Sequence, residues 1–242
     1  LKDTLSKLMN KANNESYSEI AITWINYKRV NSTVKGFGYG INNKLQIYPA
    51  SIVKLVYALA IYEWTKTGRI LINKEIKEAI YKMLFYSSND ATSFIVDILT
   101  GTTSGPSLDK RIWENWKYQR NIINDWLKSL NWDELNGMNC CQKTWEDGPF
   151  GREKDFYGSR SENINQMSTD GTAKILLEIM QKTEETKNNI NIKECISRNL
   201  TKESFISDPN NQIEGFLGEG IPENTLYWSK AGLMSKVRHD AA

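Results

Sequence analysis

The sequence predicts an α+β fold: an antiparallel sheet flanked by helices, with an all-helical lobe inserted into it. Strand-like stretches follow a first helix, helical periodicity fills the middle of the chain, and strand-like sequence returns near the end. The 242 residues read as one domain. Its α/β lobe covers roughly 1–50 and 168–242, its helical lobe roughly 51–167, and a site is expected between them.

Each element has its own signal. "LKDTLSKLMNKANNES" places Leu1, Leu5 and Leu8 on one side of an amphipathic helix. "SEIAITWINY" (18–27) alternates as a half-buried strand, and "STVKGFGYGINNKLQIY" reads as a second, with a turn at Asn42-Asn43. A helix is expected from Ser51 to about Thr67, stopped by Gly68. "NKEIKEAIYKMLFYSS" and "NDATSFIVDILTG" are two more, broken at Ser87-Ser88-Asn89. Residues 104–135 are helical and hold Trp113, Trp116, Trp126 and Trp132, aromatics that belong in a core. Residues 136–170 have little periodicity, and a stretch that long is usually functional. "STDGTAKILLEIMQK" restores a helix capped by Ser168 or Thr169, and "NTLYWSKAGLMSKVRHDAA" holds two strand segments.

Composition excludes several function classes. The chain is 40% hydrophobic and 25% charged with a net charge of +2, and no basic stripe points to nucleic acid. Glu63 and Lys66 close the longest apolar run, so no transmembrane segment is expected. The first residues lack a signal-peptide pattern. Cys140 and Cys141 are adjacent, Cys195 makes an odd count, and His239 is the single histidine, so no metal and no cofactor is expected.

The chemistry sits in "YPASIVKLVYALAIYEW". Ser51 and Lys54 share a helix face one turn apart, and a buried lysine can lose its proton near neutral pH. Ser32/Lys35 and Ser107/Lys110 have the same spacing but no apolar helix behind them. Two further groups follow in order: Ser87 and Asn89 at a break between helices, then Lys230, Ala231 and Gly232 after "TLYW". Lys66-Thr67-Gly68, Ser161-Glu162-Asn163 and Ser197-Arg198-Asn199 imitate parts of this set but lie in the wrong context.

The ordered set resembles the serine β-lactamase and penicillin-binding protein superfamily, nearest its class A-like branch. "YPASIVKL", "YSSNDATSFIVDILTG", "STDGTAKILLEI" and "WSKAGLMSKVRHDAA" carry the resemblance from residue 18 onward, with 104–165 matching poorly. The resemblance implies Ser51 as nucleophile, Lys54 as its base or relay, and Ser87 as proton shuttle to the leaving group. Asn89 and Lys230 would hold substrate, Arg238 is a further carboxylate anchor, and Gly232 leaves room along its strand. The amides of Ser51 and Leu233 would form the oxyanion hole. Glu153, in "FGREKDFYG", is the candidate base for deacylation, with Glu146 as an alternative in the same loop.

The chain departs from the family in several places. Ala231 removes a hydroxyl that binds the β-lactam carboxylate, worth about 1.5–3 kcal/mol. Tyr157 stands about where the family has an asparagine. The Ser51–Ser87 gap is short, and the family continues beyond "RHDAA". The expected function is a class A β-lactamase-like serine hydrolase working through an acyl-enzyme on a small-molecule β-lactam or acyl peptide. A D-Ala-D-Ala peptidase or esterase is the alternative, and a silent cell-wall-peptide or partner-binding relative a third. A monomer in the periplasm or outside the cell is implied by the resemblance.

Overall fold

The computed structural model describes Lys7 and residues 19–30, 33–182, 191–208 and 211–242. Apart from Lys7, the expected first helix lies outside them. The chain begins with a hairpin, β1 (Ile22–Val30) and β2 (Thr33–Ile41), paired from Ile22↔Ile41 to Val30↔Thr33. The expected turn follows at Asn42, whose carbonyl accepts from the Leu45 amide at 2.9 Å.

The helix expected from Ser51 starts later. Ala50–Val53 is a 3₁₀ turn, and α1 runs Lys54–Lys66. Its residues from Lys54 to Ile61 are all buried, so α1 is a central helix without a solvent face over that stretch. Next come α2 (Lys74–Phe85), α3 (Asn89–Thr100), α4 (Lys110–Arg120) and α5 (Ile122–Ser129). Side chains of Asn73, Ser88 and Asp109 cap α2, α3 and α4 by accepting the amides of Ile76, Ala91 and Ile112. Gly101, at φ 66°, ends α3.

The tryptophans pack as a core. Trp113 stacks on Trp116 at 5.5 Å, and Trp126 meets Trp64 edge-on at 5.4 Å. The irregular stretch contains α6 (Gly151–Tyr157), which the sequence did not reveal because seven residues show too little periodicity. After it, α7 (Thr169–Lys182) is preceded by Ser168, whose hydroxyl accepts the Gly171 amide at 3.0 Å. Asp170 on α7 accepts from Thr23 at 2.6 Å and Asn43 at 2.5 Å, fastening the hairpin to the helix.

The end of the chain is more divided than expected. Short helices α8 (Ile192–Cys195) and α9 (Lys202–Ser207) flank β3 (Ser197–Arg198), which pairs with β4 (Tyr227–Trp228). β5 (Lys230–Met234) pairs with β6 (Val237–Ala241). Among the described residues the strands therefore form three separate antiparallel pairs, not one sheet. Ser229 interrupts the last run, its amide bonded to the Ile196 carbonyl at 2.9 Å. All three cysteines are buried free thiols. No described helix is long and apolar enough to cross a membrane.

Candidate active site

The site is assembled where three backbone segments meet. Ser51 lies on the 3₁₀ turn, and its carbonyl accepts the amide of Lys54. Ala50 just before it holds φ 47°. Ser87, between α2 and α3, holds φ 59°. Non-glycine residues at positive φ cost about 1–3 kcal/mol each and persist where the surroundings impose them, often at functional sites. β5 closes the third side. A Cβ on Gly232 would lie 2.8 Å from the Pro49 carbonyl oxygen and 3.3 Å from the Ile52 amide nitrogen. Only a residue without a side chain lets β5 run this close to the turn bearing Ser51.

Two lysines meet at one hydroxyl. Lys54 Nζ donates to Ser87 Oγ at 3.2 Å, to the Ser87 carbonyl at 2.5 Å and to Asn89 Oδ1 at 2.9 Å. Lys230 Nζ donates to the same Ser87 Oγ at 2.9 Å, to Gln212 Oε1 at 2.6 Å and to the Ala231 carbonyl at 2.7 Å. Both lysines are fully buried. Their nitrogens lie no more than about 6 Å apart, where two charges repel by about 3 kcal/mol at an effective dielectric of ~20. Burial lowers Lys54 from the ordinary 10.5 to about 7, against an upward pull from the charge of Glu146. Burial also drives Lys230 far below the ordinary lysine range, helped by the charges of Lys54 and Arg198 and opposed by Asp240. Burial therefore weakens the hold of both lysines on their protons at the shared hydroxyl of Ser87.

The hydroxyl of Ser51 bonds to no described residue, so the expected Lys54–Ser51 hydrogen bond is absent and Lys54 rests on Ser87 and Asn89. Such bonds often form only when substrate is bound. The Ala231 amide turns away from β6 to Gln212 Oε1 at 3.1 Å. Alternate residues of a strand face the same edge, so the Leu233 amide points to that open edge as well.

Glu153 has to be reassigned. It is buried on α6, where Arg120 grips it at 2.7 and 2.8 Å and Ser104 donates to it at 2.8 Å. Lys143 Nζ lies 3.4 Å from it and bridges to Asp97 at 2.8 Å. Glu153 is thus consumed by a buried ion network and makes no contact with Lys54 or Ser51 among the described residues. The acid whose charge reaches Lys54 is Glu146, exposed in the loop before α6. Side chains of Asn124 and Asn165 hold that loop by accepting the amides of Cys140, Cys141 and Gln142 at 2.7–3.0 Å. The wanted signal was the loop's proximity to α1, which spacing alone does not show.

Arg238 points elsewhere: its guanidinium donates to the Gly215 carbonyl at 2.9 Å and lies over Phe216. His239 bonds the Tyr48 carbonyl at 2.8 Å, and burial lowers its pKa. Sequence reasoning missed Gln212 and Arg198. Arg198 donates to the carbonyls of Leu84, Phe85 and Ser229, tying α2 to the start of β5.

No family model matches the chain, and no curated protein matches it. A solved β-lactamase from Sphaerobacter thermophilus DSM 20745 is similar in structure, with a TM-score of 0.55 at 15% identity. The match covers 96% of this chain and 80% of that one. The fold is β-lactamase-like.

Proposed function

We propose that the protein is a serine acyl-transfer hydrolase with Ser51 as nucleophile. One observation carries the reading: two fully buried lysines from different elements converge on the single hydroxyl of Ser87. Burying lysine is costly without a carboxylate partner, and proton transfer is what such a cluster does well. Neutral Lys54 takes the Ser51 proton as the hydroxyl attacks an amide, ester or lactam carbonyl. The amides of Ser51 and Leu233 receive the oxyanion. Ser87 then donates its proton to the departing nitrogen or oxygen and is reprotonated from the lysines. Glu146, whose charge reaches Lys54, is the acid this reading assigns to activate water for release of the acyl group.

The reading includes a substrate cleft between an α/β lobe and a helical lobe, a class A-like mechanism, and a monomer that works outside the cytoplasmic membrane. Asn89 and β5 line the substrate side. Intact-protein mass spectrometry after incubation with a β-lactam panel tests it. The expected result is one acyl mass on Ser51 in the native protein and none in Ser51→Ala. Neither adduct nor hydrolysis at high protein concentration would sink it.

A second reading, an esterase or D-Ala-D-Ala peptidase of the same fold, is favoured by one feature. Ala231 offers no hydroxyl to a substrate carboxylate, and Lys230 is buried and already holds three acceptors. Turnover of neutral acyl esters exceeding that of β-lactams would select this reading.

A further inference from the structure

We propose that Gln212 is a positioning residue that holds Lys230 on Ser87; its part in proton transfer rests on the acyl-transfer reading above. Its amide makes four hydrogen bonds that divide cleanly by polarity. Oε1 accepts from Lys230 Nζ at 2.6 Å and from the Ala231 amide at 3.1 Å. Nε2 donates to the Phe85 carbonyl at 2.6 Å and the Leu84 carbonyl at 3.2 Å. Turning the amide over would set its NH₂ against an ammonium and an N–H, and its oxygen against two carbonyls, so one orientation is imposed.

The backbone of Gln212 is bent to deliver it. Its φ is 56°, a conformation that a glutamine rarely adopts, shared here with Ala50 and Ser87. Gln212 therefore cross-links β5 to the last turn of α2, two residues before Ser87. It also fills the edge of β5 beside Ala231, where a side-chain hydroxyl is missing.

Lys230 needs this contact because its surroundings are hostile to charge. Lys54 from α1 and Arg198 from β3 repel it, Asp240 from β6 attracts it, and water is excluded. Among the described residues its nitrogen donates to neutral acceptors: Ser87 Oγ, the Ala231 carbonyl and Gln212 Oε1. Of these Gln212 alone is a side chain with no chemistry of its own. Removing it leaves a buried donor unmet and lets Lys230 swing from Ser87.

The test compares Gln212→Ala and Gln212→Glu with the native chain in two measurements. One is the rate and saturation constant of Ser51 labelling by a fluorescent penicillin between pH 6 and 10. The other is direct titration of the Lys230 amine by lysine-selective NMR, which needs no activity. Thermal melting sets the folded fraction. In Gln212→Ala, Lys230 should titrate at lower pH and labelling should slow about ten- to a hundredfold at similar saturation. In Gln212→Glu the carboxylate should raise the Lys230 titration above the native value and recover part of the rate. Unchanged titration in both variants overturns the proposal. So does a loss of labelling that only follows the folded fraction, with the pH profile unmoved. If the native chain is never labelled yet the titrations shift as stated, the placement of Gln212 stands and the acyl-transfer reading falls.

Discussion

Two buried charge clusters sit in this molecule and are built in opposite ways. At Ser87, Lys54 and Lys230 donate to hydroxyl, carbonyl and amide oxygens, with no carboxylate bonded to either among the described residues. At α6, Arg120 and Lys143 are matched to Glu153 and Asp97 in ion pairs of 2.7–3.5 Å. Opposite charges meet at short range in the second cluster and cross-link the elements that carry them. In the first, burial without a bonded carboxylate lowers the pKa of both lysines. In the second cluster the lone pairs of Glu153 are already spent on a guanidinium and a hydroxyl.

The sharpest way to break the contrast is to remove one cation from each cluster. Lys54→Met should cut Ser51 acylation per folded molecule by about 10²–10⁴, because it removes the proton acceptor and leaves the oxygens of Ser87 and Asn89 without their donor. Acyl-adduct formation over time, with a melting curve beside it, measures both halves. Arg120→Met should do the reverse, costing about 3–5 kcal/mol of stability by stranding Glu153 as an uncompensated buried charge. Urea unfolding reads that loss, and a wild-type midpoint would mean the network is not structural.

The two glutamates separate next. Glu146→Gln should leave acylation intact but slow release of the acyl group by about 10²-fold, so that the adduct persists. Glu153→Gln should instead lower the unfolding midpoint while the rate of release per folded molecule holds. An exchange of these phenotypes would restore Glu153 as the base.

A further prediction concerns the pH dependence of stability. Lys54 binds its proton with a pKa of about 7 when folded and 10.5 in its ordinary state. Between those values the unfolded chain holds the extra proton, so stability should rise as pH climbs from about 7 toward 10.5. Below about 7 both states are protonated and that gain is gone. Urea midpoints across this range should rise in the native protein and rise less steeply in Lys54→Met, where buried Lys230 still contributes.

Several of the groups that meet at Ser87 stand out in short stretches of sequence. Ser51 and Lys54 at one-turn spacing, a hydroxyl and amide at a helix break, and Lys230 with Gly232 after an apolar strand are local patterns. Local patterns survive in sequence because backbone geometry over a few residues dictates them. The capped helices α2, α3 and α4 were legible for the same reason.

What only the tertiary structure decided involves partners far apart in the chain. Arg120 claims Glu153 from 33 residues away. Gln212 reaches Phe85 across 127 and Lys230 across 18. No spacing rule foretells such meetings, since they depend on how α2, α6 and β5 pack. Burial was likewise invisible, yet it lowers the pKa of Lys54 to about 7 and encloses Arg120 against Glu153. Sequence alone named the groups able to do chemistry. Packing decided which cations meet carboxylates and which meet only neutral oxygens, and that matters because a proton's affinity is set by the dielectric and the neighbours around it.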